Sequence, residues 1–288
     1  MISAFPYVGG KTLLSDWITG VLPSHETYVE PFGGSAAVLL NKPRSTTEVY
    51  NDLDGDIVHF FQVARDRPEE LVDWIQRTPY SEELHNQYAD AFYSGERSDD
   101  AITRTGRFLY LRYSQFGGKY AKKSGFKRDT ARTKTTESQT WAAVDERIDE
   151  ICQRLQGVSI QNGSFESVID RYDSAKTVFY CDPPYLHKED TYRVDGFDHD
   201  ELATALQGID GKAIVSYTDR PQGLYDGWTE LLRSHYHDAG NRKHDNQEKK
   251  TERLIMNYEP TDVARFVDHE QKTLIADGGR AEFAGNSD

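Results

Sequence analysis

The residues best suited to chemistry are Asp182-Pro183-Pro184-Tyr185, directly after the apolar run "TVFYC". Asp182 offers a side-chain acceptor. Two successive prolines stiffen the backbone and remove two N–H donors, which leaves carbonyl oxygens free to accept. Tyr185 supplies a flat aromatic face. Such a group suits a planar partner carrying an –NH2, as on a nucleobase. Taken alone, the tetrapeptide fits a Pro-rich turn capping a strand equally well, with Tyr185 simply packed.

Two further stretches bear on the choice. "YVEPFGGSAAV" and "VYNDLD" read as strand, Gly loop, helix, strand and terminal acid, the form of a dinucleotide-type half-site. Asp52 is the acid at the second strand end, and it is also placed to cap the helix beginning "GDIVHFF". The third stretch, "FPYVGGKTLL", contains Gly10-Lys11-Thr12. A P-loop needs a glycine where Phe5 stands and a strand before it, so a triphosphate cradle is excluded. Leu13, Leu14, Trp17, Ile18 and Val21 instead predict an amphipathic helix whose first turn holds Lys11.

These stretches need elements to position them. Strands are predicted at 26–32, 46–54, 158–165 and 177–185, and again in "KAIVSYTD", "SHYHDAGNR" and "ERLIMNYEP". Between the second and third lies a helical block, with apolar residues such as Val144, Ile148, Ile151 and Leu155 at helical spacing. The expected architecture is α/β: a Rossmann-like sheet of about seven strands with an antiparallel pair at the end. Residues 1–54 and 156–267 form the sheet domain, 55–155 an inserted, mainly helical subdomain, and 268–288 a loosely ordered tail.

Composition removes several classes. No window approaches a membrane span, and no basic stretch followed by an apolar run marks a signal peptide. A cytoplasmic protein is expected. Cys152 and Cys181 make no CxxC pattern, so neither a metal site nor a disulfide framework is expected. The 48 acidic residues outnumber the 34 basic ones, which argues against a polyanion as partner unless positive charge is concentrated locally. It is, at 114–134, "SQFGGKYAKKSGFKRDTARTK": seven cations face one acid, Asp129. The cations include Lys119, Lys122, Lys123, Lys127, Arg128 and Arg132, and Tyr120 is interleaved with them, as in surfaces that track a nucleic-acid backbone. The acid-rich remainder reads as the surface of a salt-adapted protein.

From Phe5 to Pro260 the chain resembles the Dam-type DNA adenine N6-methyltransferases. The resemblance rests on "FPYVGGKTLL", "YVEPFGGSAAV", "VYNDLD", "FLYLRYSQFGG", "NGSF", "DPPY" and "ERLIMNY". It implies S-adenosylmethionine as cofactor and double-stranded DNA as partner, in a prokaryotic or viral setting, with neither metal nor obligate protein partner. Glu30, Pro31, Phe32, Gly33 and Gly34 would form the first cofactor loop, the glycines admitting the methionine portion. Asp52 would accept from the ribose hydroxyls and Phe165 would pack on the cofactor adenine. Lys11, set in the turn of Gly9 and Gly10, would meet the methionine carboxylate, with Tyr7 on the flank. Asp182 and the Pro183 carbonyl would accept from N6 of a flipped-out adenine, held by Pro184 and Tyr185. The basic run would belong to the target-recognition region. Ser164 stands where many members carry Asp. The alternatives are an amino-methyltransferase for cytosine N4 or RNA, and a non-catalytic DNA-binding relative.

Overall fold

A computed structural model describes residues 1–116, 120–130, 135–186, 197–236, 249–260, 271–276 and 280–285. Five parallel strands make its centre: β1 (Thr27–Glu30), β2 (Thr47–Asn51), β3 (Val158–Gln161), β4 (Thr177–Cys181) and β5 (Lys212–Tyr217). Strand β7 (Lys249–Met256) pairs antiparallel with both β5 and β6 (Thr229–Tyr236). The order is β3-β2-β1-β4-β5-β7-β6, continued by β9 (Arg280–Gly285) and β8 (Gln271–Ala276).

The central strands are apolar on both sides because both sheet faces are covered. Alternate residues serve opposite faces. Tyr28, Tyr50, Val178, Tyr180 and Ile214 join one core, whereas Val29, Val49, Phe179, Cys181 and Val215 join the other. Helices α9 (Phe165–Tyr172) and α10 (His199–Gln207) cover the second face through Val168, Ile169, Leu202 and Leu206.

The first face receives α1 (Ser15–Val21), α2 (Ala37–Asn41) and the helical block. That block comprises α3 (Gly55–Asp66), α4 (Pro68–Arg77), α5 (Glu82–Tyr93), α6 (Ala101–Ser114), α7 (Glu137–Ala142) and α8 (Val144–Leu155). It is inserted in sequence between β2 and β3, yet Phe60, Phe61, Phe108, Ile148 and Leu155 share a continuous core with Phe5, Tyr28 and Tyr50. Capping side chains set its helix starts: Asp54 for α3, Ser81 for α5, Asp100 for α6 and Thr136, in a capping box, for α7.

The structure departs from the sequence expectations at four places. Strand β6 begins at Thr229, ahead of the expected "SHYHDAGNR", most of which lies outside the described residues. The segment expected as a tail contains β8 and β9, in which "KTLIA" acts as a strand despite its Gly-rich surroundings. Helix α1 starts at Ser15, so Lys11 lies in the turn before it, and Leu13 is 70% exposed while Leu14, Trp17, Ile18 and Val21 are buried. The cap of α3 is Asp54, whose side chain accepts from Asp56 N; Asp52 is otherwise engaged.

Candidate active site

Neighbouring strands β1 and β4 mark the point where strand order reverses, and open α/β sheets bind ligands at the carboxyl ends beside such a point. Strand β1 runs out into Pro31–Gly34, β2 into Asp52 and β4 into Asp182–Tyr185. The N-terminal segment Tyr7–Lys11 closes the other side. Together they enclose a cavity of about 280 Å³. Its wall includes Tyr7, Gly9, Lys11, Glu30, Pro31, Phe32, Gly33, Gly34, Asp52, Phe165, Asp182 and Pro184. Pro183 and Tyr185 are buried and do not line it.

The loop after β1 is held from β2. Asn51 donates to the carbonyls of Pro31 (2.8 Å) and Gly163 (3.0 Å) and accepts from Gly163 N (2.9 Å), tying the loops after β1 and β3 together. The Asp52 carboxylate accepts from Gly34 N and Asp54 N, both at 2.8 Å. Burial pushes its pKa up to about 6 against these two amides. Gly34 takes a left-handed φ of 49°, which suits glycine.

Gly33 was expected to leave room for a ligand; the space is taken by Tyr50. A Cβ on Gly33 would fall 2.0 Å from Tyr50 Cε2, and the Tyr50 hydroxyl donates to Gly34 O at 2.7 Å. Glu30 likewise turns inward. It accepts from Tyr28 OH (2.6 Å) and Leu39 N (2.7 Å), so it fixes α2 to β1, and burial raises its pKa to about 7. Phe32, Phe165 and Phe197 form a triangle of rings with centroids 5.4 to 5.6 Å apart, an apolar slot on the α9 side. Ser164 caps α9 and also faces the cavity.

The other end of the cavity is polar. Lys11 Nζ lies 2.7 Å from both Asp182 oxygens and 3.0 Å from Gly9 O, and it donates to Tyr185 OH. The Tyr185 hydroxyl donates to Glu252 Oε1 at 2.7 Å, and Ser216 Oγ donates to the same oxygen at 2.5 Å. An ammonium has three hydrogens. Those of Lys11 are engaged within the protein, so the expected partnership with a methionine carboxylate is replaced by one with Asp182. Burial works against the Lys11 charge, but Asp182 and Glu252 more than offset it and hold its pKa above the ordinary range. Burial pushes Asp182 up to about 6, with Glu252 adding to the rise and Lys11 opposing it. Tyr185 was expected to offer a stacking face. Its ring is 6% exposed, with the Lys11 ammonium 4.8 Å from the centroid. A buried phenol needs a hydroxyl partner, and Glu252 provides it, which makes Tyr185 an interior anchor.

The basic run is less free than its sequence suggests. Tyr120, expected at a DNA surface, is 2% exposed: its hydroxyl donates to Asp54 Oδ2 at 2.6 Å and it lines the cavity. Lys123 pairs with Asp90, Lys127 with Glu137 (2.7 Å) and Arg128 with Glu82 (2.7 Å). Lys122 is exposed. Lys119 and Arg132 lie outside the described residues. Gln115 and Phe126 pair as a short antiparallel bridge, and Phe116 at its edge is 68% exposed.

The sequence reading passed over Asp54, Tyr180, Phe197, Asp198 and Glu201 on the cavity wall, and Ser216 and Glu252 behind it. "ERLIMNY" was noticed as a strand, but only the fold brings its Glu252 to the DPPY segment.

The family model described as D12 class N6 adenine-specific DNA methyltransferase matches residues 7–252, which contain every cavity segment named above. The chain belongs to this family. This D12-class enzyme is 28% identical over 207 residues to the "DNA adenine methylase" of Vibrio cholerae serotype O1, covering 68% of the chain and 72% of that protein. It is 25% identical over 225 residues to the "Type II methyltransferase M.MjaIII" of Methanocaldococcus jannaschii, covering 69% and 76%. It is 28% identical over 185 residues to the "DNA adenine methylase" of Escherichia coli K12, covering 62% and 63%. As a D12-class enzyme it methylates N6 of adenine in DNA. Among the described residues no helix is long and apolar enough to cross a membrane.

Proposed function

We propose that the chain transfers a methyl group from S-adenosylmethionine to N6 of an adenine swung out of duplex DNA. The observation that supports this best is the composition of one wall. An acid at the end of β2, an apolar ring slot beside α9 and the Asp182 carboxylate at the end of β4 all face a single cavity. A purine suits the apolar surface that Phe32, Phe165 and Phe197 present to the cavity, and ribose hydroxyls suit Asp52, whose oxygens keep acceptor capacity beyond two amide bonds. When bound, S-adenosylmethionine supplies an electrophilic methyl group.

The protein's part is positioning and electrostatics. The adenine amine is a poor nucleophile because its lone pair is delocalised into the ring. Asp182, accepting from N6–H, favours a tetrahedral nitrogen with a localised pair, stabilises the positive charge that develops there as the methyl leaves sulfur, and is the acceptor for the N6 proton that must then depart. Lys11 keeps Asp182 ionised and aimed. The partly paired basic loop, with Lys122, Lys123, Lys127 and Arg128, supports the placement of the phosphate backbone.

Because Asp182 must carry its negative charge to stabilise the cationic nitrogen, activity is lost as pH falls through its raised pKa. At saturating methyl donor, kcat/KM for duplex DNA should rise through an acid limb near pH 6, the value to which burial lifts Asp182. A limb below pH 5, at the ordinary Asp position, would assign it to another group. The reaction itself is tested by expressing the protein in a host free of DNA methylation and identifying the modified base. N6-methyladenine at one sequence is expected; N4-methylcytosine, or no modification, would overturn the proposal.

A further inference from the structure

We propose that Glu252, on β7, is a positioning residue for methyl transfer: it anchors the Tyr185 hydroxyl and the Lys11 ammonium, and through them holds the Asp182 carboxylate. This rests on the role of Asp182 given under Proposed function. Glu252 is 3% exposed, reaches no part of the cavity wall, and lies 70 residues from Asp182 in sequence. Its Oε1 nevertheless gathers three groups: Tyr185 OH at 2.7 Å, Ser216 Oγ at 2.5 Å and Lys11 Nζ at 3.6 Å.

A buried carboxylate is costly unless paired and hydrogen-bonded, and here two of the three partners, Tyr185 and Lys11, lead toward Asp182. The Tyr185 hydroxyl has one proton. Because that proton goes to Glu252, its oxygen lone pairs face Lys11 and accept from it. Lys11 is then held from behind by Tyr185 and Gly9 and in front by both Asp182 oxygens. The same hydroxyl is within hydrogen-bond reach of Asp182, so without Glu252 its proton goes to Asp182 alone and competes with the substrate amine. Glu252 therefore sets the direction of a hydrogen-bond chain, and Ser216 from β5 fixes the carboxylate that sets it.

The charge also matters. Facing Asp182 are Lys11 from the N-terminal segment, Glu30 from β1, Tyr180 and Cys181 from β4, Tyr217 from β5, Tyr185 after β4 and Glu252 from β7. Glu252 pushes the Asp182 pKa up. Removing its charge moves the acid limb of activity to lower pH.

The test compares Glu252→Gln, Glu252→Asp and Ser216→Ala with wild type, reading kcat, donor KM and the pH profile, with Asp182→Asn as reference. Glu252→Gln should lower kcat by about ten- to a hundredfold, the scale of one hydrogen bond to a charged group. Donor KM should stay within about threefold, because Asp52 and the ring slot are untouched. Its acid limb should move down, whereas Ser216→Ala, which keeps the charge, should lower kcat about threefold and leave the limb in place. Glu252→Asp should recover part of the loss. If Glu252→Gln does not fold, Ser216→Ala and Glu252→Asp decide. Glu252→Gln within threefold of wild-type kcat, or Ser216→Ala and Glu252→Asp both indistinguishable from wild type, would overturn the proposal. A limb shifted equally in Glu252→Gln and Ser216→Ala would reduce Glu252 to a packing role. Should Asp182→Asn itself turn over normally, the reading of Asp182 fails instead.

Discussion

Asp182→Ala is expected to lower methyl transfer about a thousandfold while duplex DNA is still retained, the scale seen when one preorganised electrostatic group is removed from a site. The substitution removes the carboxylate proposed to stabilise the charge developing on N6. It leaves the basic loop, proposed to meet the phosphate backbone, in place. It also strips Lys11 of its main partner, and breaking a buried pair by removing one side is destabilising. Glu252, 3.6 Å from the ammonium, limits that damage by taking Lys11 over. Asp182→Asn separates the two effects, since it preserves volume and one acceptor but not the charge. Single-turnover methyl transfer and fluorescence-anisotropy DNA binding, measured on both variants, check the expectation. Turnover within tenfold of wild type in Asp182→Ala would remove Asp182 from the chemistry.

Gly33→Ala is expected to be the most damaging conservative change in the loop after β1. The new methyl group would sit 2.0 to 2.6 Å from three carbons of Tyr50. That ring cannot move aside cheaply. It is fully buried, its centroid is 4.4 Å from that of Phe61, and its hydroxyl is bound to Gly34 O. Overpacking of this kind costs about 3 kcal/mol, which should lower Tm by at least about 5 °C. Shortening the opposing side chain makes space, so Gly33→Ala should cost much less in a Tyr50→Leu background. A Tm within about 1 °C of wild type for the single variant would show that the loop relaxes freely.

Much of this was legible in the chain because it is local. The runs "TYVE", "TEVYN" and "TVFYC" are rich in β-branched and aromatic residues and lead into Pro, Gly or Asp, so the carboxyl ends that build the cavity could be placed from pattern alone. The positions of Asp182 and Asp52 followed from those ends, and that of Lys11 from the glycines before the apolar run of α1. What could not be read was the choice of partner. Lys11 beside two glycines suits a ligand carboxylate as well as a protein one, and only the fold shows Asp182 within 2.7 Å. Tyr120, set among lysines, looks exposed until the cap of α3 brings Asp54 to its hydroxyl. Glu252 and Ser216 carry no local signal, because an acid and a serine in adjacent strands are ordinary until both turn inward on the same atom.

The continuous apolar core beneath β1 and β2 has a consequence for how such enzymes can diversify. Phe60, Phe108 and Leu155 of the helical block lie against Phe5 and Tyr28 of the sheet half, and Arg154 of α8 adds ion pairs to Glu48 of β2 across the same junction. The block cannot be exchanged as a cassette. Cutting the chain after Asp54 and before Gln156 would open an apolar wound on the sheet and another on the removed piece. The helical block and the sheet that bears the cavity inherit each other's stability, and a mutation deep in either is felt in both.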